Sequence, residues 1–556
     1  MTLLPYGDGA VLVEFDDLAS AQRAHRALGQ HARRGVRELV PGGRTVLVRI
    51  DPRVLGLTQL RHWLEAVLAD VSEGDERDRE QGAERAVSIP VVYDGDDLAA
   101  VADEWGCSVE AVAARHAESE WVCAFVGFAP GFPYLVPARA GVLPQVPRRA
   151  TSRPTVPAGS IALAAEYCGV YPRSSPGGWQ LIGRTDVELW DARREPPALV
   201  TAGTRVRFEP VRATAFGGSG ASSERDVSQE FSAATPAASG LTPTPPPSTP
   251  EKRHGGGALD DNFARLRVLE PGPLTLVHDL GRPGLAGIGV GASGAFDRAA
   301  HRLANRLVGN DETAAGLEVL YGGAAFALLA GTWFAVTGAV GPLTLDGTPI
   351  EPAHPVRAER DGAVLRLGPA TRGVRYSLAV RGGIAGEPVL GSRSRDTLAA
   401  LGPAPLTPND VLAIGEDTTG PVPAVDLVPV DARTDTVTEL MVRPGPRRDW
   451  FTNEGWQRML QTAWVVSPRS DRTGVRLDGA TLERRPAAVG RELASEGMTP
   501  GAMQVSPDGV PTVLGPDHPV TGGYPVIAVV TDDALDRLAQ LRPGDPVRLR
   551  LATGRP

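Results

Sequence analysis

The sequence predicts a mainly β protein with α/β additions, and three observations support this fold class. Glycine and proline are abundant, with 65 and 50 residues among 556, and both favour turns because glycine permits positive φ and proline fixes φ. Short segments of strand-like composition recur between these turns, a spacing typical of barrels and sandwiches. Two of these segments, 202–208 and 543–549, have similar sequences, which predicts two related barrels.

Residues 1–85 predict a small N-terminal α/β domain. Strands are indicated at 10–15 and 45–50, with a helix-like stretch at 18–33 between them. The apolar residues of 57–71 recur at helical spacing, which favours an amphipathic helix.

Residues 86–212 predict a barrel. A helix ending at Trp105 begins with Asp96 or Asp97 as its cap, and Ser108 caps the next helix, which ends near His116. The remainder is short strands and turns, with strands predicted at 88–93, 161–164, 187–190 and 206–208.

The rest of the chain divides at a segment rich in proline, serine and glycine. This segment has no hydrophobic periodicity and predicts a disordered linker. Beyond it, β-like segments again dominate, interrupted by a helix over 296–308 that Gly309 and Asn310 terminate. The predicted divisions are 1–85, with a charged linker at 71–84, then 86–212, the linker 213–260, a first part of the second half at 261–430, and a second barrel part at 431–556.

Charge and composition exclude several classes of function. The net charge of −9 gives no reason to expect nucleic acid or an anionic membrane as a partner. No apolar run approaches the roughly 20 residues that span a bilayer, and the first residues do not resemble a signal peptide. The three cysteines form neither a pair motif nor a zinc spacing, so we expect a disulfide-free cytoplasmic protein.

Lysine is almost absent, since only Lys252 occurs and it lies in the predicted linker. The folded parts therefore cannot supply a phosphate-binding lysine, a Schiff-base lysine or a lysine that carries biotin. Anion recognition must use arginine, backbone N–H groups or a metal.

The first half offers two arginine sites and one histidine. Arg148, Arg149 and Arg153 precede a Gly159-Ser160 turn whose N–H and hydroxyl groups suit an anion. Arg184 follows a strand and can bind a carboxylate, and His116 lies at the end of a predicted helix. Each of these residues also has a structural interpretation, as a solvated loop, an ion pair or a helix-terminal histidine.

The second half offers candidate residues in tight polar turns. Ser293 and Asp297 lie at the start of the 296–308 helix, where anions are favoured but where either side chain can be a simple cap. The other turns contain Asp279 and Arg282; Arg393, Ser394 and Arg395; Arg472; and Thr521 and Tyr524. Their structural alternatives are ion pairs and packed β-turns.

Ordered motifs over most of the chain resemble two bacterial protein families. Residues 1–212 are similar to the B subunit of 5-oxoprolinase, formerly allophanate hydrolase subunit 1, and residues 264–552 to the C subunit, formerly subunit 2. The motifs of the first part include Ile89-Pro90-Val91, 127–135, Pro147-Arg148-Arg149, 156–160 and 175–185. Those of the second include 271–275, 279–284, 291–297, 304–310, 317–318, 381–384, 391–394, 470–472, 495–497, 521–525 and 543–545.

This resemblance implies cyclophilin-like β-barrel domains in both halves. It also implies an ATP-dependent hydrolase with Mg²⁺, whose metal-binding residues are unknown. The lack of a lysine in the folded parts excludes covalently attached biotin. With a separate A subunit, such a component opens the lactam of 5-oxoproline to give glutamate. His116, Ser293 and Asp297 are then candidate catalytic residues, and the arginine and turn residues named above are candidates for binding substrate or nucleotide.

Two alternatives follow from the same resemblance. One is the carboxyltransferase component of a biotin-dependent urea or amide carboxylase, which would need a separate biotin carrier. The other is a non-enzymatic inhibitor of a sensor histidine kinase. A homo-oligomer is possible in each case. We expect the active site at the interface of the two halves, because both carry arginine-rich turns and the tether of roughly 50 residues allows docking.

Overall fold

The structure is a computed structural model. It describes residues 1–71, 86–139, 141, 143–149, 151–212, 265–424 and 437–553. The predicted linkers at 71–84 and 213–260 therefore lie almost wholly outside the described residues. No helix in the described part of the chain is long and apolar enough to cross a membrane.

The N-terminal domain is a four-stranded antiparallel sheet with two helices. Its sheet order is β1-β2-β4-β3, and Asp17 caps the first helix by accepting a 2.7 Å hydrogen bond from Ser20 N. Both helices pack on one face of the sheet. The elements are β1 (Thr2–Pro5), β2 (Ala10–Glu14), α1 (Leu18–Gln30), β3 (Val36–Pro41), β4 (Thr45–Ile50) and α2 (Leu57–Val71).

The first barrel follows. Its seven-stranded sheet has the order β12-β9-β10-β7-β6-β13-β5, and backbone hydrogen bonds of 2.9 and 3.0 Å between Val92 and Arg184 join its two ends. The elements are β5 (Ala86–Val91), α3 (Leu98–Trp105), α4 (Val109–Glu118), β6 (Trp121–Val126), β7 (Pro133–Pro137), β8 (Arg153–Val156), β9 (Ser160–Ala164), β10 (Tyr167–Val170), β11 (Ser175–Gly177), β12 (Gln180–Arg184) and β13 (Arg205–Pro210).

The strand predicted at 187–190 is wrong. Only an isolated bridge between Trp190 and Ala198 occurs there. The alternating apolar residues Val187 and Leu189 instead pack as a loop against the barrel interior, so tertiary burial mimics the pattern of a strand.

The second half begins with two packed sheets and one helix. A six-stranded sheet, ordered β20-β19-β22-β17-β14-β24, faces a five-stranded sheet, ordered β15-β16-β23-β18-β21, and apolar residues of both sheets share one core. The elements are β14 (Arg265–Pro271), β15 (Leu274–His278), α5 (Arg298–Leu307), β16 (Gly316–Leu320), β17 (Ala324–Leu328), β18 (Trp333–Val340), β19 (Leu343–Leu345), β20 (Thr348–Pro349), β21 (Val356–Arg357), β22 (Ala363–Leu367), β23 (Arg372–Val380) and β24 (Val411–Ala413), with a 3₁₀ turn at Ala286–Ile288.

The second barrel is closed, with the order β25-β32-β29-β30-β27-β26-β33 and its ends joined by a parallel β25–β33 pair. Its elements are β25 (Thr438–Pro444), α6 (Asn453–Gln461), β26 (Trp464–Val466), β27 (Gly474–Asp478), β28 (Glu496–Gly497), β29 (Ala502–Val505), β30 (Pro511–Leu514), β31 (Thr521–Gly522), β32 (Val526–Val530), α7 (Asp532–Leu538) and β33 (Pro546–Leu551), with 3₁₀ turns at Arg448–Trp450 and Pro486–Ala488.

The two barrels have the same topology. When the seven strands of each barrel are counted along the chain, they follow one another around the two barrels in the same order. In both barrels the first and last strands pair in parallel. Each also carries a two-stranded ribbon at the same points in the chain: the first ribbon is β8 with β11, and the second ribbon is β28 with β31. The prediction of barrels in both halves with a small N-terminal α/β domain is therefore confirmed.

The N-terminal domain contacts both barrels. On one side, Leu18 of α1 packs on the outer apolar cluster of the first barrel, and the Gln22 amide donates to Ala124 O at 3.2 Å. On the other side, Val40 and Leu47 of the β3–β4 hairpin share a core with the second barrel. The two halves thus pack into one body around the N-terminal domain.

Candidate active site at the junction of the two halves

The outer face of the first barrel is an aromatic surface that meets the second barrel. Phe132 makes edge-to-face contacts with Tyr134, Tyr171 and Trp179 at ring-centroid distances of 5.3, 5.1 and 5.5 Å. These rings are buried. Phe132 and Tyr134 are two residues apart and share a face at the start of β7, while Tyr171 follows β10 and Trp179 precedes β12. The aromatic motifs of 125–135 and 175–185 therefore build the scaffold of the junction.

Backbone groups connect the halves at this surface. Phe128 has a positive φ of 61°, an uncommon conformation for a bulky residue, and its N–H donates to the Thr521 hydroxyl at 2.9 Å. Gly131 N donates to Ile288 O at 3.0 Å. A Cβ at Gly289 would lie 2.3 Å from Ala129 O, so glycine is required for this close approach. The strained turn is thus held in place by the second half.

Tyr134 is the polar centre of the junction. Its side chain is buried, and Ser495 and Thr521 of the second barrel lie close enough to the phenol to affect its ionisation. Burial raises the pKa of Tyr134, against the lowering effects of Ser495, Arg148 and Thr521. The phenol therefore stays protonated at neutral pH and can donate a hydrogen bond.

Arg148 lies at the rim of the same junction. Its side chain is 42% exposed and its nearest carboxylate is Glu492 of the second half, at 3.8 Å. The guanidinium acts electrostatically on the phenols of both Tyr134 and Tyr171. Because an exposed pair at that distance contributes little, Arg148 is available for an anion at the edge of the aromatic surface.

The other predicted residues of the first half are engaged within it. Arg153 donates to both oxygens of Asp97, at 2.8 and 3.0 Å, and Arg184 donates to Asp94 at 2.9 Å. Ser160 is buried at the start of β9, where its carbonyl accepts from Tyr171 N. Arg184 lies at the seam that closes the barrel, and Ser160 is its partner on the neighbouring strand β9.

Asp97 is the N-cap residue of α3, but its carboxylate binds arginine and not the helix. Its carboxylate accepts hydrogen bonds from Arg149, Arg153 and Leu181 N and none from the helix. Burial alone would raise the pKa of Asp97, but these partners lower it. The expectation that Asp96 or Asp97 caps this helix is therefore confirmed for the position of Asp97, although its side chain makes no capping hydrogen bond. Ser108 does cap the following helix, accepting from Ala111 N.

His116 lies in the interior of the first barrel, away from the junction. Its Nδ1 is 2.7 Å from the Tyr93 hydroxyl and its Nε2 is 3.3 Å from Cys168 Sγ. Complete burial lowers the pKa of His116 to about 3, so the ring is neutral at physiological pH. The environment is that of a satisfied core histidine, and its catalytic role stays a prediction.

Arg472 anchors a buried ionic network between the two packed sheets of the second half and the second barrel. It donates to Asp517 at 2.9 Å, to Glu318 at 2.7 Å and to Gly294 O at 2.6 Å. Burial alone would raise the pKa of either carboxyl, but Arg472 holds both at about 2. All three charged side chains are buried, so the network is a tightly satisfied structural junction.

Ser293 and Asp297 belong to this network's edge. Ser293, with φ 53°, donates to Asp517 at 2.6 Å. Asp297 is the N-cap of α5, accepting from Ala300 N at 2.8 Å and from the Gln540 amide at 2.7 Å. Burial, reinforced by the nearby Asp536, raises the pKa of Asp297 to about 7.

The turn around Asp279 collects more of the predicted residues. Its carboxylate accepts from the hydroxyls of Ser392 and Ser394 and from Arg393 N. Arg282 donates to Ser394 O and Val389 O. Two of the predicted polar turns therefore form one loop cluster, whose polar groups bind one another.

The other predicted site residues of the second half are exposed or bind backbone carbonyls. Arg395 donates to Ala400 O and Gly402 O, both at 3.1 Å, and the Arg393 guanidinium donates to Gly386 O at 2.8 Å. Tyr524 is 43% exposed and follows the second ribbon. Of the predicted residues, Arg148 and Thr521 are those the structure brings to the junction itself, with Tyr524 beside it.

Several residues of these sites escape reasoning from the sequence. Tyr134 lies in an aromatic motif that indicates only scaffold, and Asp97 is predicted only as a cap. Glu318 belongs to one of the motifs of the second half but has no predicted role, and Asp517 has no local signal at all. Such buried partners could be sought by pairing each buried-strand carboxylate with an arginine, because buried charges are nearly always paired.

Comparisons with known proteins place the chain in a class. The sequence model described as "Carboxyltransferase domain, subdomain C and D" matches residues 1–200, and that described as "Carboxyltransferase domain, subdomain A and B" matches residues 288–551. The crystal structure of TTHA0988 is 32% identical and covers 97% of this chain and 99% of its own, with a TM-score of 0.78. The chain belongs to the carboxyltransferase-domain family.

Within that family the two halves have different relatives. The first is similar to the 5-oxoprolinase B subunit of Escherichia coli O157:H7, with 39% identity over 219 residues, which is 37% of this chain and 93% of the relative. The second is similar to the 5-oxoprolinase C subunit of Escherichia coli K12, with 34% identity over 287 residues, which is 51% of this chain and 89% of the relative. The predicted resemblance to a fusion of these two proteins is confirmed.

The second half also resembles a larger enzyme. Urea amidolyase of Lachancea kluyveri is 32% identical over 310 residues, which is 51% of this chain but 17% of that protein. The relatives are thus components of enzymes, with two different activities in their names.

Proposed function

We propose that this chain is the combined B–C component of an ATP-dependent 5-oxoprolinase. One observation carries the proposal. The two halves match the two named subunits separately, each over almost the whole length of its relative, and in this chain they pack as one body around a shared junction. The proposed reaction is hydrolysis of 5-oxoproline to glutamate, and a separate A subunit is needed to complete the turnover.

The junction supports a role in binding the substrate's anionic and amide groups. Arg148 offers a planar guanidinium that suits a carboxylate or a phosphate. The protonated phenol of Tyr134 offers a hydrogen-bond donor within the aromatic surface. We assign to Arg148 the binding of an anionic group of the substrate. Tyr134, Ser495 and Thr521 form the side of the proposed binding site next to Arg148.

ATP would supply phosphorylation of the amide oxygen, which makes a poor electrophile reactive. The described residues contain no group of three histidine, cysteine, aspartate or glutamate side chains placed to hold a metal ion. Mg²⁺ that accompanies ATP is usually held by one or two carboxylates together with the nucleotide's phosphates, so it does not require such a group, and we assign it no ligand.

The test is ADP release with and without 5-oxoproline, in the presence of an A-subunit-like protein. We expect 5-oxoproline-dependent release, and we expect Arg148→Gln to lower it by about tenfold or more, as for loss of a charged contact to substrate. Arg139→Gln, at an exposed arginine of the same half, is the matched control and should leave the rate unchanged. No dependence on 5-oxoproline in the unchanged protein would overturn the proposal.

A second candidate is the carboxyltransferase component of a biotin-dependent urea or amide carboxylase. The similarity of the second half to urea amidolyase favours it. It predicts carboxyl transfer from a separate biotinylated carrier to urea or an amide, without a requirement for 5-oxoproline. Transfer of labelled carboxylate from such a carrier separates the two candidates.

A further inference from the structure

The two ribbons occupy equivalent places on the two barrels. Each is formed by a strand that precedes the fourth strand of its barrel and a strand that precedes the sixth. Both second strands lead into a Gly-Gly-aromatic sequence, ending at Trp179 and Tyr524. The pairing registers agree as well, since Arg153 lies opposite Gly177 and Glu496 lies opposite Gly522.

An ion pair fixes each ribbon to its barrel, with the charges reversed. In the first barrel Asp97 holds Arg153, and Asp97 N donates to Leu181 O at 2.9 Å. In the second barrel Arg447 holds Glu496, and Arg447 N donates to Val526 O at 3.0 Å. Leu181 and Val526 each lie four residues beyond the first glycine of their Gly-Gly pair, so the backbone contacts correspond too.

The second ribbon is covered by the N-terminal domain. A Cβ at Gly497 would lie 2.6 Å from Leu47 Cβ and 3.0 Å from Val40 Cβ. Gly43 N donates to Ser495 O at 2.7 Å, and Glu14 adds a second carboxylate to Arg447 at 2.7 Å. An apolar hairpin with one flanking charge therefore closes this surface.

The first ribbon has no such cover from the described residues. Its β8 strand and the following turn expose small uncharged side chains, as does β11: Ser152, Pro154, Thr155, Pro157, Ala158 and Pro176. The position that Glu14 takes beside Arg447 is filled beside Asp97 by Arg149 of the same barrel. The exposed side chains of the ribbon itself are therefore uncharged, and the charges at its edge, Asp96 and Arg149, already have partners in the same barrel.

The occupant cannot be the same hairpin from a second copy of this chain. That hairpin is already buried on the second ribbon, so its surface is not free. We propose that the exposed face of the first ribbon is the docking surface for an apolar β-hairpin or loop of the separate subunit that the proposed 5-oxoprolinase activity requires. The inference rests on the proposed function for the identity of the partner and on the equivalence of the ribbons for the place and chemistry of docking.

The experiment measures by calorimetry the affinity of the full chain for an A-subunit-like protein. Thr155→Lys and Ala158→Lys place a charge in the apolar contact, and we expect each to weaken binding by about tenfold or more. Thr155→Val keeps the shape and removes the hydroxyl, so it should bind within about threefold of the unchanged protein. Thr348→Lys, at an exposed threonine of β20, is the control for added charge, and unchanged melting of every variant controls for folding.

The inference is overturned if the lysine variants bind the A-subunit-like protein as tightly as the unchanged chain does. It is also overturned if Thr155→Val and Thr155→Lys lose the same affinity, or if the unchanged chain does not bind. Loss of self-association in the lysine variants, without the partner, would identify a second copy as the occupant and also overturn it. ADP release separates this inference from the proposed function. In one outcome, ADP release depends on 5-oxoproline, and Thr155→Lys reaches the same rate at the same concentration of the A-subunit-like protein as the unchanged chain. The proposed function then stands and the docking surface fails. If the variants lose binding but no release occurs, the docking surface stands and the function fails.

Discussion

The two barrels share one strand order but are held by opposite charges. Where Asp97 accepts from Arg153 in the first, Arg447 donates to Glu496 in the second. The order of strands depends on backbone pairing and apolar alternation, which both sequences retain. The polar groups need only be satisfied in pairs, so their signs can be exchanged without changing the topology.

The barrels also differ in how their corresponding loops, which follow β6 and β26, are anchored. The turn after β6 is tied by backbone groups such as Gly131 N. The turn after β26 is tied by the side chain of Arg472 through three buried acceptors. Loss of a side chain should therefore damage the second anchor far more than any single substitution damages the first.

The largest effect is expected from Arg472→Met. This change leaves Asp517 buried without its cation and leaves Glu318 paired with Arg375 at 3.4 Å, and we expect a loss of about 3–5 kcal/mol in the free energy of unfolding. Arg472→Lys should cost less but remain destabilising, because a point charge cannot bind three separated acceptors. Urea unfolding measures both, and a cost for Arg472→Met no larger than that of Arg469→Met, at an exposed arginine of the same turn, would contradict the expectation.

The reversed ion pairs should differ in strength because they differ in burial. Arg447 is 7% exposed and Glu496 4%, whereas Arg149 and Arg153 beside Asp97 are 35% and 18% exposed. We expect Glu496→Gln to cost about 2–3 kcal/mol, since Glu14 still binds Arg447, and Asp97→Asn about half of that, since water compensates the exposed arginines. Unfolding in urea provides both values, and equal costs would show that burial does not decide the difference.

Asp297 should give the second half a pH dependence that the first half lacks. Its pKa is raised by burial to about 7, against about 3.9 when unfolded. The stability it contributes is complete below pH of about 4 and is lost as pH rises towards 7, by at most about 1.4 kcal/mol per pH unit.

Asp297→Asn should remove this part of the pH dependence, seen as melting temperatures that no longer fall as steeply across that range. Asp17→Asn is a matched control, because Asp17 also caps a helix but its pKa is lowered by hydrogen bonds from Ser20. Its contribution is lost as pH falls, so the two variants should differ from the unchanged protein in opposite directions. The same slope in the unchanged protein and in Asp297→Asn would refute the assignment.

Local signals in the sequence predicted much of the fold. The caps at Ser108 and Asp297, the helical spacing of 57–71 and the strand at 526–530 depend on neighbouring residues, and the structure has them. The similar barrel ends at 202–208 and 543–549 also correspond, as β13 and β33. A segment such as 187–189 misleads, because a buried loop can alternate as a strand does.

The candidate site was less accessible to such reasoning. Arg472, Glu318 and Asp517 come from three distant segments, and no local pattern indicates that they meet. The arginines of the first half are candidates because no lysine lies outside the predicted linker. Only the structure distinguishes Arg148 from Arg153, which is occupied by Asp97. The expectation of a site at the interface of the halves remains a proposal, supported by the convergence of Tyr134, Thr521 and Arg148.

The position of the N-terminal domain between the barrels has a consequence for assembly. Its β3–β4 hairpin binds the second barrel, and one polypeptide contains both halves. Docking is therefore a unimolecular step, whose equilibrium depends on an effective local concentration and not on the amount of protein in solution. Dilution would separate two independent proteins, but here the ratio of the two halves stays one to one and the junction persists at any concentration. Cutting the chain between residues 212 and 265 would return this interface to ordinary mass action.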